Sequence, residues 1–434
     1  MAVDALLAHP VRTTFLIALA ARLSVALGIF FFRDGSLFQD DLGYLKIVEL
    51  HHLQTSDEFQ NYEGMWNEYI SFFWPLGVLF RMFGSVVLAA QVLSALAGAV
   101  TAAATVALLK LHVSSRTALL AGLLAALHPS QVLWSSLVLK DAYVWMSLSL
   151  LALLTGWWCK RSDVRGFTAG IFGLAALTLY LTHLRQHTLV AACLALILAL
   201  AWKSETRRLG RLAVASLLLL LMPLIAGVGV AGIDLFRQSA SGTGEIRQLG
   251  TCWADTQLFG TPVLETDTCE NYFDPDHVEV ALENSTVVDD LYYLPRGLRV
   301  MLFDPLPHHL GNSRNMIFPF VEHLLWYPML LLAVFGLKAI RRDSPELAFV
   351  LLLWGGLATM WALVEGNFGT AYRHRGEFVW AAILFAAIGA ERLIECRRVR
   401  KRRVEDLSVD AGSVRSVGLG DGDGASENPS RAGL

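Results

Sequence analysis

VRTTFLIALAARLSVALGIFFF, residues 11–32, is long enough to cross the hydrocarbon core of a bilayer as a single helix. A cleaved signal peptide is the competing reading. It fits poorly, because the run is too long, contains Arg22 and lacks a small-residue cleavage site. Similar apolar runs recur along the chain, which is 55% hydrophobic and 17% charged over 434 residues. That is too apolar for a soluble domain of this size, so the bilayer is its solvent. Directly after the first run comes Phe38-Gln39-Asp40-Asp41-Leu42-Gly43-Tyr44. Adjacent carboxylates at the mouth of a membrane helix are costly unless pairing, a metal or chemistry retains them.

Hydropathy predicts about ten spans, at roughly 11–32, 85–109, 117–137, 141–158, 167–182, 188–202, 212–232, 323–338, 345–364 and 378–395. Basic clusters fall at alternate connections: Lys110 with Arg116; Lys160, Arg161 and Arg165; Lys203, Arg207, Arg208 and Arg211; Lys338, Arg341 and Arg342; and the run Arg397–Arg403. The positive-inside rule makes all of these cytoplasmic, with both termini, in a cell (plasma or inner) membrane. The segments 33–84, 183–187, 233–322 and 365–377 are then exoplasmic. The aromatic stretch 69–84 (YISFFWPLGVLFRMFG) carries Pro75 and Arg81 and would invert the charge pattern if it crossed. It reads as a helix lying at the exoplasmic surface, with a polar helix over 41–60 before it.

The organisation expected is therefore all-α and multi-pass. A transmembrane core spans 1–232, an exoplasmic loop domain 233–322, the C-terminal transmembrane helices 323–403 and a disordered cytoplasmic tail 404–434. Cys252 and Cys269 in the loop are disulfide candidates in an oxidising compartment, or two unpaired thiols. No P-loop, dinucleotide fingerprint, solenoid repeat or basic aromatic-interleaved stretch is present, so nucleic acid is not an expected partner.

Asp40 and Asp41 are the first candidates for chemistry. A hydroxyl or amide acceptor needs a positioned base or a metal-bound carboxylate, and one acid of the pair would face the reaction while the other supports it. Capping of a helix N-terminus is the structural alternative. Lys and Arg are depleted on exoplasmic faces, yet Lys140, Arg185, Arg373 and Arg375 all lie there, with His187 and His374 beside them. A bound phosphate explains the set, and interhelical salt bridging is the alternative. Asp141 is either a further catalytic acid or the cap of the fourth span. Glu365 and Asn367 in EGNFGTAYRHR (365–375), and Tyr44, complete the candidates; Arg22, mid-span, is either functional or a structural staple.

At these residues the chain resembles the GT-C superfamily of polyprenyl-phosphate-sugar-dependent glycosyltransferases, which includes protein mannosyltransferases and aminoarabinose transferases. The resemblance rests on a first span followed by FQDDLGY, on WPLGVLFRMFG before the second span, on HPSQVLWSSLVLKD, and on a late exoplasmic Arg motif. It implies an inverting sugar transfer from a lipid-linked donor to a glycan, lipid or protein acceptor. Asp40 or Asp41 would then match the first-loop acid, acting as base or as ligand to a divalent cation such as Mg or Mn. The chain departs from the family in having Asp-Asp where Asp-Glu is commoner, and in Lys140-Asp141. A polysaccharide polymerase or ligase, a membrane transporter and an assembly protein are the other functions weighed.

Overall fold

The computed structural model describes residues 7–53, 59–161, 163–201, 287–307, 316–338, 340, 344–366 and 368–417. All regular structure among them is helical. The second span starts at Val87 (α5, Val87–Leu109), after α1 (Pro10–Arg33), α2 (Gln39–Leu53), α3 (Glu63–Glu68) and α4 (Ile70–Phe83). Then follow α6 (Ser115–Leu127), α7 (Pro129–Ser135), α8 (Asp141–Lys160), α9 (Val164–Thr182) and α10 (Gln186–Ala201). The C-terminal part comprises α11 (Val287–Phe303), α12 (Ile317–Leu337), α13 (Pro345–Val364) and α14 (Phe368–Val417).

Six of these helices are long and apolar enough to cross a membrane: α1, α5, α8, α9, α12 and α13. A seventh crossing is formed if α6 and α7 are one broken span. The remaining expected spans have three different outcomes. The one at 188–202 is α10, a shorter apolar helix of 16 residues. The one at 212–232 lies outside the described residues, as do Cys252 and Cys269 with most of the 233–322 loop. The one at 378–395 lies within α14, where Glu391, Arg392 and Glu395 interrupt its last turns.

Two expectations need correction. The helix expected over 117–137 is broken at His128-Pro129, with a bend of 52°. Proline has no N–H to donate and disfavours helical backbone in the residue before it, and His128 is indeed extended (φ −60°, ψ 124°). The segment after Arg403, expected to be unstructured, begins as helix, since α14 runs unbroken to Val417. No proline or glycine pair interrupts the sequence there until the Gly-rich stretch beyond Val417.

Arg22 answers the broken span. From α1 its guanidinium donates to Ala126 O (2.9 Å), to Ala18 O (3.0 Å) and to Ser135 Oγ (2.8 Å), while Ser136 donates to Arg22 O (3.0 Å). A carbonyl freed by the break thus finds a donor where no water reaches. α12 and α14 approach closely through small residues. A Cβ on Gly336 would lie 1.9 Å from Phe385 O, and one on Gly389 2.0 Å from Leu332 O. Backbone packing of this kind replaces the hydrophobic drive that lipid cannot supply. It locks α14 against α12 at Phe385 and Gly389, at least two turns beyond the residues of α14 that carry much of the site.

Candidate functional site

α2 begins at the acid pair, and the two acids have different environments. Asp41 is fully buried and accepts from Ser36 Oγ (2.8 Å) and from the backbone N–H groups of Leu37, Phe38 and Leu42 (each 3.0 Å). The N–H groups of Leu37 and Phe38 precede the helix, so Asp41 reaches back from its first turn and holds the loop and that turn in shape. Asp40, one residue earlier, turns outward. Its side chain is 53% exposed and one carboxylate oxygen accepts from Arg373. Tyr44, one turn on, packs edge-on against Phe72 (5.3 Å) and Phe73 (5.8 Å), within the electrostatic reach of Arg373, Asp141 and Asp40.

Arg373 on α14 ties this exposed acid to a buried one. Its Nε (2.9 Å) and one terminal nitrogen (2.7 Å) both donate to Asp141 Oδ2, while its other terminal nitrogen reaches Asp40. Arg185, from the α9–α10 connection, donates to Asp141 Oδ1 (3.0 Å) and to Glu377 on α14. Thr188 adds a donor to Glu377 (3.3 Å), and the Arg185 guanidinium lies 5.3 Å from the Trp361 ring centre. Asp141 is thus the hub joining α8, the α9–α10 turn, α14 and, through Arg373, α2. Glu377 escaped the reading of the sequence, although its spacing four residues after Arg373 places both on one face of a helix.

Lys140, directly before Asp141, is 9% exposed and lies over the Tyr69 ring at 3.3 Å. Neither a carboxylate nor any other hydrogen-bond acceptor holds it among the described residues. Burial, with Arg185 and Arg373 nearby, brings its ammonium down to about 7.

Under this layer lies a second pair. His374 contacts Glu365 through Nδ1 and stacks on Trp361 (3.7 Å, 24°), against which His187 stands edge-on (5.1 Å). Burial pushes the Glu365 carboxyl up to about 8 and holds the imidazole well below its ordinary value. Near neutral pH the pair therefore shares one proton and carries no net charge. Tyr293 of α11 donates to the Glu365 carbonyl (3.2 Å). Asn367 lies outside the described residues.

Arg375 stands apart from these groups. It is 2% exposed and donates to the carbonyls of Val300, Met301 and Asp304 and to His323 Nε2 (2.9 Å). Trp326 and Tyr327 donate to Leu302 O and Phe303 O (each 2.6 Å), so the carbonyls at the end of α11 are capped by side chains of α12 and α14. Arg375→Lys keeps the charge and loses the fork. It should cost about 1–3 kcal/mol as buried carbonyls lose donors. Unfolding of the purified variant in a fixed detergent tests this, and an unchanged midpoint would show that other groups satisfy those carbonyls. Next to this cap, Glu322 accepts from Ser130 N (2.8 Å), Ser130 Oγ (3.0 Å) and Tyr372 (2.7 Å), another buried carboxylate that hydropathy alone conceals.

A divalent cation does not fit these residues. Both oxygens of Asp41 are taken by N–H and O–H donors, and Asp40 offers a single carboxylate already facing a guanidinium. Ligand atoms of Asp141, His374 and Glu377 lie within 4.8 Å of one another. Arg185 already bridges the two carboxylates there, and Glu365 engages Nδ1 of His374. Comparison of the sequence with protein-family models and with curated proteins returns no match.

Proposed function

We propose that the chain is a membrane glycosyltransferase of the GT-C type, moving a sugar with inversion from a polyprenyl-phosphate donor to an acceptor on the exoplasmic side. One observation carries this reading. The exposed carboxylate of Asp40 is linked through Arg373 and Asp141 to a cluster of cations at one end of a membrane bundle. In the reaction, Asp40 takes the proton of the acceptor hydroxyl or amide as that atom attacks the anomeric carbon. The bond from that carbon to the phosphate oxygen breaks, and the lipid phosphate leaves with the electron pair. Arg185 and Arg373 are each held by two carboxylates, whereas Lys140 is held by none, so Lys140 is the cation assigned to meet the phosphate. The sidedness follows from the alternating basic clusters and is part of the proposal.

The test uses purified protein in lipid nanodiscs, a set of labelled polyprenyl-phosphate sugars and a membrane extract as acceptor. Release of polyprenyl phosphate with transfer of label supports the reading. Failure with every donor, while the protein remains monodisperse, sinks it. Within the same assay the apparent KM for donor should rise as pH increases through about 7, because Lys140 is cationic only below that value. Lys140→Arg, charged throughout, should flatten this limb; a limb unchanged in the variant would assign it to another group, Glu365 first.

A transporter is the second reading, favoured by the broken α6–α7 span with Arg22 buried against it. It expects solute flux into proteoliposomes without cleavage of any lipid-linked sugar.

A further inference from the structure

The end of the bundle opposite the candidate site carries a feature that sugar transfer does not use. α14 stays buried from Phe378 to Ile388 and then continues as exposed helix, with every residue from Ile394 to Arg403 open. Its level relative to the bundle is set by Glu391, which accepts from Ser114 (3.1 Å) and Thr117. Those two residues begin α6, where Ser114 Oγ also caps the helix by accepting from Thr117 N. Glu391 therefore marks the level at which α6 starts. Lys110 and Lys338, which end α5 and α12, belong to the same end.

From that level to Arg403 come Arg392, Arg397, Arg398, Arg400, Lys401, Arg402 and Arg403, with a single acid, Glu395, among them; Glu405, Asp406 and Asp410 follow. At about 1.5 Å per residue, Arg397 stands about 9 Å past Glu391 and Arg403 about 18 Å. A headgroup layer is roughly 5–8 Å thick on each side of the bilayer. Charges are felt over about 8 Å at physiological ionic strength. The first arginines thus fall within or at the edge of the headgroups, and the last ones within about a screening length of them. Successive residues turn by about 100°, so these cations project around the whole helix rather than along one stripe. A stripe would suit a helix lying flat on a partner; a full collar suits a helix passing upright through a ring of anionic headgroups. Setting the orientation of the chain needs only an excess of basic residues near the span, and it does not require three further turns of ordered, basic helix.

We infer that Arg392–Arg403 forms a collar that binds anionic phospholipid headgroups and gathers them around α14. Exposed Cys396, in the middle of the collar, provides the probe. The full chain, with Cys159, Cys193, Cys252 and Cys269 replaced by Ser, is labelled at Cys396 with a fluorophore and placed in nanodiscs. Their lipid is phosphatidylcholine with a fixed fraction of phosphatidylglycerol, and either the anionic or the zwitterionic lipid carries a nitroxide quencher. Quenching should indicate at least about threefold enrichment of phosphatidylglycerol around the label at low salt, falling toward unity in 1 M salt. Replacing Arg397, Arg398, Arg400, Lys401, Arg402 and Arg403 by Gln should abolish the preference in a protein that remains monodisperse. Equal quenching by the two lipids in the unsubstituted collar would overturn the inference. So would a preference that survives the six replacements, or loss of the preference when RNA is added at stoichiometric amounts.

Discussion

Asp40→Asn is expected to lower turnover by about a hundredfold or more, the loss usual for a general base, with no change in folding or insertion. The side chain is half exposed and has one ionic partner, so removing its charge frees one guanidinium nitrogen at the rim and disturbs nothing deeper. Asp41→Asn should behave in the opposite way. An amide nitrogen in place of either carboxylate oxygen would point its hydrogens at donors of Ser36, Leu37, Phe38 or Leu42, at a side chain that is fully buried. A cost of about 1–3 kcal/mol should appear in the unfolding midpoint, with activity falling because α2 no longer starts in place. The measurement is therefore paired: rate and melting for both variants. If Asp40→Asn retains near-normal turnover, the base lies elsewhere and Asp40 only anchors Arg373.

The difference between the two acids also shows how far the sequence reads unaided. Adjacent acids must point in different directions on a helix, so a division of labour was visible; which acid turns inward depends on the loop Ser36–Phe38, whose path no periodicity encodes. The six long spans were legible because eighteen or more apolar residues have few other fates. His128-Pro129 was a readable break that the surrounding hydropathy outweighed. Three of the basic residues that run against the charge rule, Lys140, Arg185 and Arg373, are brought together beside Asp141 by the structure. It also draws Arg375 away from them, although two residues of spacing look innocent in a motif. Two positions along a helix are about 200° apart, so Arg373 and Arg375 had to face different neighbours. Trp361, Glu322 and Glu377 were hidden for a related reason: a polar or aromatic residue within an apolar run gives no signal until its partner, from a distant segment, is known.

Asp141→Ala is expected to be the most damaging single replacement in the cluster. Asp141 is fully buried and accepts one bond from Arg185 and two from Arg373, so its loss leaves the buried Arg185 and the largely covered Arg373 short of a counter-charge. Breaking a buried ion pair by removing one partner typically costs about 3–5 kcal/mol, far more than the pair contributes relative to apolar residues. Glu377 still holds Arg185, and Asp40 still holds one nitrogen of Arg373, which keeps the figure within that range rather than above it. Chemical unfolding of the purified protein in a fixed bilayer mimetic reads the effect. A cycle with Arg373→Met separates its sources, because the double variant removes the stranded cation with its partner and should recover at least about 1 kcal/mol relative to additivity. Recovery of stability need not bring back transfer, since Arg373 also positions Asp40. A stable but inactive double variant would identify the Asp141–Arg373 link as the strut that sets the exposed carboxylate. Additive losses would instead mean that the two residues are held independently, and the site would have to be rebuilt around Arg185 and Glu377 alone.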